Sequence, residues 1–327
     1  MNSSNRKLKM NKKIISIIIL LIFISLPFKI FAQTIVEISA QIEILKTKIL
    51  QLQNLLEELK KKEIHLSTKE LEQGDALVIK IKTQLPKEPI GKLGVSKIVF
   101  LKIDDGWLGI LGIDAKEKPG KYDLILKFPD GSQFKEKIEI KKTDFPTKEL
   151  LLTKELLKKG YTPLAISKNI KNKENPTIAK IIKIYTKEVY FNQPFTYPLK
   201  EIKIAGDFGD FRKEKNIVLQ HLGVDLDVKI GTPVFAINDG ICQFSKELPN
   251  YGKTIIIDHG FGIYSLYLHL NEFKILEGER VKRGDIMGFS GNTGYSIEPH
   301  LHFSVKINGQ SVDPLRFIDR FIEAMEK

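Results

Sequence analysis

From Ile35 onward, apolar residues recur at alternating intervals of three and four: Ile35, Ile38, Ile42, Leu45, Ile49, Leu52, Leu56 and Leu59. This heptad seam predicts a coiled-coil helix over residues 33–65, and Ile at most a positions with Leu at d favours a parallel dimer. The same stripe also fits an amphipathic helix packed on its own protein. Over 66–142 the period changes to two. LVIKIKT, KIVFLKI, YDLILKF and FKEKIEIKK are broken by turn signals at Asp104-Asp105-Gly106, Pro119-Gly120 and Pro129-Asp130-Gly131. Short strands with turn chemistry at each break predict a small β-sandwich. It contains no titratable cluster, so a spacer or binding module is the expectation.

Residues 143–195 read as a mixed connector, helical at ELLLTKELLKK and exposed at Lys171–Pro176. Pro194 and Pro198 then open a glycine-rich carboxy-terminal domain over 196–318, followed by a tail at 319–327. At the other end, residues 1–13 are basic and Ile14–Ile24 is an unbroken apolar run. That order predicts a secretory signal over 1–32, cut after Ala32, with an uncleaved anchor as the alternative. The expected location is the periplasm or cell envelope, or outside the cell.

Charge and cysteine usage narrow the classes further. The 327-residue chain carries a formal charge of +12, but residues 1–32 hold six basic residues and no acidic one, leaving only about +6 elsewhere. A mild excess suits an anionic polymer or surface. Without a dense Arg cluster interleaved with aromatic residues it is no nucleic-acid footprint. Cys242 is the single cysteine, which excludes an internal disulfide and any cysteine-rich metal site.

The chemistry concentrates in the histidines. His221-Leu-Gly-Val-Asp225 contains Gly223, which disfavours a helix, and in an extended segment residues four apart share a face. In Glu298-Pro299-His300-Leu301-His302-Phe303-Ser304-Val305-Lys306-Ile307 the alternation is clean, with His300, His302, Ser304 and Lys306 on one side. Between them, parity in Ile263–Leu270 places His269 with Ser265 and Tyr267 on a polar face, opposite Tyr264, Leu266, Leu268 and Leu270. Three such strands can line one groove. A catalytic zinc takes about three protein ligands and keeps one position for water, whose pKa it lowers towards ~7. Further histidines beside it can take a proton and stabilise charge on a scissile carbonyl.

These residues also carry a resemblance. His221–Asp225, GTPVFAINDGICQF (231–244), YGKTIIIDHGFGIYSLYLHL (251–270) and GDIMGFSGNTGYSIEPHLHFSV (284–305) resemble the lysostaphin/LytM-type zinc metallopeptidases over about residues 196–318. The β-region at 66–142 is more loosely similar to an immunoglobulin-like domain that precedes some members. The resemblance implies a mainly β chain whose carboxy-terminal antiparallel sheet forms a narrow groove. It implies His221, Asp225 and His302 as ligands to one Zn2+ per chain, with His269 and His300 catalytic. The implied function is an exported zinc metalloendopeptidase that hydrolyses peptide cross-links of bacterial peptidoglycan with a zinc-activated water. The alternative is a non-hydrolytic wall-binding scaffold, or an activator of another wall hydrolase, acting through the coiled coil. Cleavage of glycine-rich proteins is a third reading. The implied partners are the peptidoglycan peptide and, through the heptads, a second copy or another protein; a membrane is touched only through the signal or anchor.

Two positions depart from the family pattern: Glu298 where a glycine often stands, and Ser304 where an acidic residue is frequent. No tyrosine lies between Phe211 and His221, where some members use one upstream of the first motif. Outside the constellation, His259 in Asp258-His259-Gly260 reads as structural, His65 as a solvated side chain and Cys242 as a small core residue. Arg212 reads as a surface arginine, with substrate carboxylate binding as the alternative.

Overall fold

The computed structural model describes residues 28–59, 62–83 and 85–326. They belong to two compact units, Met1–Lys62 and Glu63–Lys327. Residues 1–27 of the expected signal segment lie outside the described residues. The described residues 28–59 of the first unit form helix α1 (Phe28–Leu59), and every described side chain on it from Val36 to Gln53 is exposed, Ile38, Ile42, Leu45, Ile49 and Leu52 included. The helix stops short of the expected 65. Glu63–Leu66 is instead a strand, paired antiparallel with Ala76–Lys82, so His65 sits in a sheet and meets Glu63 at 2.6 Å. Among the described residues no helix is long and apolar enough to cross a membrane.

The second unit is mainly β. Its first sheet runs, in spatial order, Glu63–Leu66, Ala76–Lys82, Gly106–Gly112, Ser96–Ile103, Ile90–Leu93, Gly120–Lys127, Gln133–Lys141 and Glu70–Glu72. All neighbours are antiparallel except the last pair, and strands from both ends of this path share one core around Ile79, Phe100, Leu124 and Ile138. The Ala76–Lys82 strand is apolar on both faces because both are covered. Leu77, Ile79 and Ile81 enter that core, while Ala76 and Val78 join the core of the carboxy-terminal part.

The carboxy-terminal sheet orders Ile204–Gly206, Val224–Asp227, His300–Ile307, Ile263–Leu270, Gly252–Asp258, Gly240–Leu248 and Arg280–Val281, all antiparallel. Every residue of Ile263–Leu270 is buried, which makes it the central strand. Ile263 and Tyr267 face the main core; Tyr264, Leu266 and Leu268 face a smaller cluster with Ile178. Ile178 comes from the 143–195 segment, which folds as α2 (Lys154–Lys158), α3 (Pro163–Asn169), a π-helical turn (Ile170–Glu174) and α4 (Asn175–Ile182). The expected exposed connector at Lys171–Pro176 is therefore helical. Its Glu174 is fully buried because three N–H donors meet its carboxylate.

Of the expected tail at 319–327, residues 319–326 instead continue α5 (Pro314–Glu326). Asp313 Oδ1 accepts from the backbone N–H groups of Leu315 and Arg316, and Pro314 occupies the first turn, where it lacks nothing. Phe317, Ile318, Phe321 and Ala324 repeat at helical spacing and are buried. Phe195 packs edge-on against Phe317 and Phe321, with ring centroids 5.0 and 4.9 Å away.

His259 is fully buried against the Phe195 ring. Its Nδ1 donates to the Asp239 carbonyl and its Nε2 meets Ser265 Oγ, while burial lowers its pKa to about 4. The unfolded chain takes up this proton first, near pH 6.5, so stability is unaffected by it above that value. It falls by about 1.4 kcal/mol per pH unit down to pH 4, about 3 kcal/mol in all. With metal chelated throughout, His259→Gln should flatten the wild-type loss of denaturation midpoint between pH 6.5 and 4. Parallel curves would remove His259 from the account.

Candidate metal centre and active site

The register of the carboxy-terminal sheet assembles the site. Asp225 on Val224–Asp227 lies directly opposite His302 on His300–Ile307, and His302 lies opposite Leu268 on its other side. Residues facing each other in a sheet project to one face, so His300, His302 and Asp225 share a side with Leu268. His221 precedes the Val224 strand, and Gly223 lets the chain return against it. A Cβ on Gly223 would lie 2.3 Å from Ser304 Oγ and 2.6 Å from His302 Nε2. No other residue fits there without displacing that pair.

His269 reaches this face by a route that alternation does not predict. Ser265 and Tyr267 do not line a groove: they point to the opposite face, where Tyr267 stacks with Phe303 and the Ser265 and Tyr267 hydroxyls are hydrogen-bonded at 2.9 Å. Strict parity would send His269 there too. The ladder between Gly252–Asp258 and Ile263–Leu270 instead shifts register between Lys253 and Ile255, and His269 adopts a φ of 61°. This bulge turns the imidazole over, leaving its ring centroid 4.8 Å from His300 and 6.2 Å from His302.

The hydrogen bonds set each tautomer. His221 Nδ1 donates to the Asp207 carbonyl at 2.8 Å, leaving the Nε2 lone pair directed inward. Ser304 Oγ donates to the Leu222 carbonyl and accepts from His302 Nε2 at 2.9 Å, leaving the Nδ1 lone pair of His302 inward. His221 Nε2 and His302 Nδ1 are 2.9 Å apart, and each is within 2.9 Å of Asp225 Oδ1. Arg212 Nη2 holds the other carboxylate oxygen, Oδ2. Arg212 is thus a partner of Asp225, not the free surface arginine expected. Burial alone would raise the Asp225 pKa, but charge or an N–H on the flanking imidazoles lowers it well below the usual carboxylate range, so Asp225 is an ionised acceptor. Burial lowers the His302 pKa to about 4.

Three inward acceptors with no proton left to share repel one another. Such a donor set fits a cation. Ligands of a tetrahedral zinc at about 2.0–2.1 Å stand roughly 3.3 Å apart, about half an ångström wider than here. Two imidazoles and one carboxylate match its ligand types, and the partners on His221 and His302 are the outer contacts such ligands use.

His269 and His300 present their remaining nitrogens beside this cluster. His269 Nδ1 donates to the Thr293 carbonyl and His300 Nδ1 to the Glu298 carbonyl, both at 2.8 Å. The Nε2 of each is left as an acceptor, and that of His300 is 3.5 Å from Asp225 Oδ1. Burial, then the neighbouring His300 and His302, pushes the His269 pKa well below the usual range, so His269 is neutral. The Glu298 contact is made by its backbone, which explains why a non-glycine residue is accommodated there.

Residues 219–314 match the model of peptidase family M23. They form an M23 peptidase domain. The DD-carboxypeptidase/endopeptidase Mpg of Neisseria meningitidis is 43% identical over 95 residues, 29% of this chain and 22% of that protein. The glycyl-glycine endopeptidase ALE-1 of Staphylococcus capitis is 41% identical over 104 residues, 30% of this chain and 29% of that protein. The chain thus spans less than a third of the length of either relative. The crystal structure of a putative M23 peptidase from Pseudomonas aeruginosa shares the fold, with a TM-score of 0.51 at 22% identity, over 77% of this chain and 94% of that one. Arg212 and Asp207 lie outside the matched segment, yet both contact the His221–Asp225–His302 cluster.

Proposed function

We propose that the chain is an exported zinc endopeptidase that hydrolyses peptide cross-links in bacterial peptidoglycan. The observation that carries this reading is the convergence of three lone-pair donors, His221 Nε2, Asp225 Oδ1 and His302 Nδ1, whose remaining polar atoms are already engaged. The peptidoglycan assignment draws on the matched relatives, whose names describe endopeptidases, including a glycyl-glycine endopeptidase.

His221, Asp225 and His302 would hold the ion. Zinc, when bound, supplies Lewis acidity and an open coordination position. Arg212 keeps one carboxylate oxygen of Asp225 turned away, so that the other is presented singly. His269 or His300 takes a proton from the attacking water at Nε2. To donate toward the charge developing on the scissile carbonyl, the other must enter the step with a second proton, on Nε2. Both rings are held by Nδ1–H bonds to backbone carbonyls, so neither has to reorient. Protein incubated with sacculi should release new amines, and a chelator should stop the release. Cleavage that continues after complete metal removal would overturn the reading.

The exposed stripe on α1 favours an added role in self-association. A parallel coiled coil through Ile42 and Ile49 would sediment as a dimer, and Ile42→Lys with Ile49→Lys would give a monomer. A wild-type monomer at tens of micromolar would remove this part. If α1 instead serves an activator, deleting residues 33–65 should abolish wall lysis by a partner hydrolase while leaving no intrinsic cleavage to lose.

A further inference from the structure

The buried Glu174 belongs to neither the ligand cluster nor the M23 match, and it ties the helical segment to the active site. Its Oε1 accepts from the backbone N–H groups of Asn250 at 2.6 Å and Tyr251 at 3.0 Å; its Oε2 accepts from Asn250 Nδ2 at 2.6 Å. Asn250 Nδ2 also reaches the Ile166 carbonyl of α3. The turn clamped in this way has its own carbonyls directed at the site. The Tyr251 carbonyl accepts from the backbone N–H of His269 at 3.0 Å, and the Asn250 carbonyl from that of Tyr295 at 2.7 Å.

The loop ahead of Tyr295 completes the frame. The Thr293 carbonyl accepts from His269 Nδ1, and its hydroxyl accepts from Lys253 N–H and donates to the Leu270 carbonyl. The two backbones are in close contact: a Cβ on Gly294 would lie 2.4 Å from the Asn250 carbonyl oxygen. His269 therefore has its main chain and its imidazole held by two segments locked to each other, and Glu174 fixes the first of them. It does so from a π-helical turn, a local irregularity that often accompanies function.

We propose that Glu174 is a positioning residue for His269, so that the helices at 163–182 are an integral part of the catalytic unit. The carboxylate offers two acceptor oxygens to three donors on the turn. Without it the bulged end of the Ile263–Leu270 strand would lose its anchor, and the His269 Nε2 would no longer be fixed beside His300. Among the described residues no hydrogen bond or ion pair joins His221, Asp225 or His302 to this turn, so metal binding is expected to be independent of it. The inference rests on the hydrolase reading for its kinetic readout only.

The test uses the full chain with Glu174→Gln, which sets its amide nitrogen against Asn250 Nδ2, donor against donor. Expected are a 10- to 100-fold lower kcat on cross-linked muropeptide, KM and zinc content within twofold of wild type, and faster solvent exchange of the His269 Nδ1 proton in NMR. Adding Asn250→Asp restores an acceptor opposite the new donor and should recover a large part of both kcat and proton protection. If Glu174→Gln yields little folded protein, Asn250→Ala, which keeps both backbone N–H bonds to Oε1 and removes the Nδ2 bonds to Oε2 and to the Ile166 carbonyl, should show the same pattern at smaller size. Unchanged kcat and unchanged exchange in a folded variant would overturn the proposal, as would loss of zinc in step with activity. A wild type that binds no zinc and cuts no wall fails the hydrolase reading instead, and the exchange measurement still decides the role of Glu174.

Discussion

His302→Ala is expected to abolish both zinc retention and wall cleavage. The substitution removes one of three convergent donors and leaves His221 Nε2 facing Asp225 Oδ1 with a two-ligand site. Loss of an outer partner of a ligand typically weakens metal binding 10- to 100-fold, and loss of a ligand should exceed that, on the order of 10³-fold or more. Ser304→Ala provides the calibration. It removes the hydroxyl that fixes the His302 tautomer, keeps the ligand, and should fall within the smaller range. Competition with a chelator of known affinity measures both. A His302→Ala protein that keeps stoichiometric zinc would remove His302 from the ligand set.

His269→Asn should give the opposite division: zinc affinity within a few-fold of wild type, and turnover reduced on the order of 10²- to 10⁴-fold, the usual scale for a lost general base. Asparagine is chosen because the backbone there has a φ of 61°, which Asn tolerates better than most residues. Backbone strain then contributes little to the result. His269 is not among the three convergent donors, so its imidazole serves proton transfer in this account. Equal losses of zinc and activity in His269→Asn and His302→Ala would refute the separation of roles.

Much of this architecture was legible in residue patterns, for identifiable reasons. Period two in 96–103, 120–127, 133–141 and 300–307 reports half-buried strands directly, and the cross-strand pairing of Asp225 with His302 completes what the alternation began. His269 was legible as part of a resemblance but not by parity, because one bulge inverts the face it occupies. Arg212 and Glu174 carried no local signal: their partners, Asp225 and the Asn250 turn, come from other segments and meet them only in the folded chain. Helix α5 did carry a signal, since Phe317, Ile318 and Phe321 repeat at helical spacing behind the capping Asp313. The expectation of a tail overlooked it. The mixed segment at 143–195 hid a buried carboxylate because a lone glutamate among lysines reads as a solvated face.

The central claim is that His221, Asp225 and His302 bind one ion and leave a coordination position open. X-ray absorption on the purified full chain loaded with zinc tests it most directly. The account predicts one zinc per chain, with two imidazole nitrogens and one carboxylate oxygen at about 2.0–2.1 Å and an exchangeable oxygen as the fourth neighbour. A protein that takes up no stoichiometric zinc, or a shell closed by a fourth protein ligand, would contradict it.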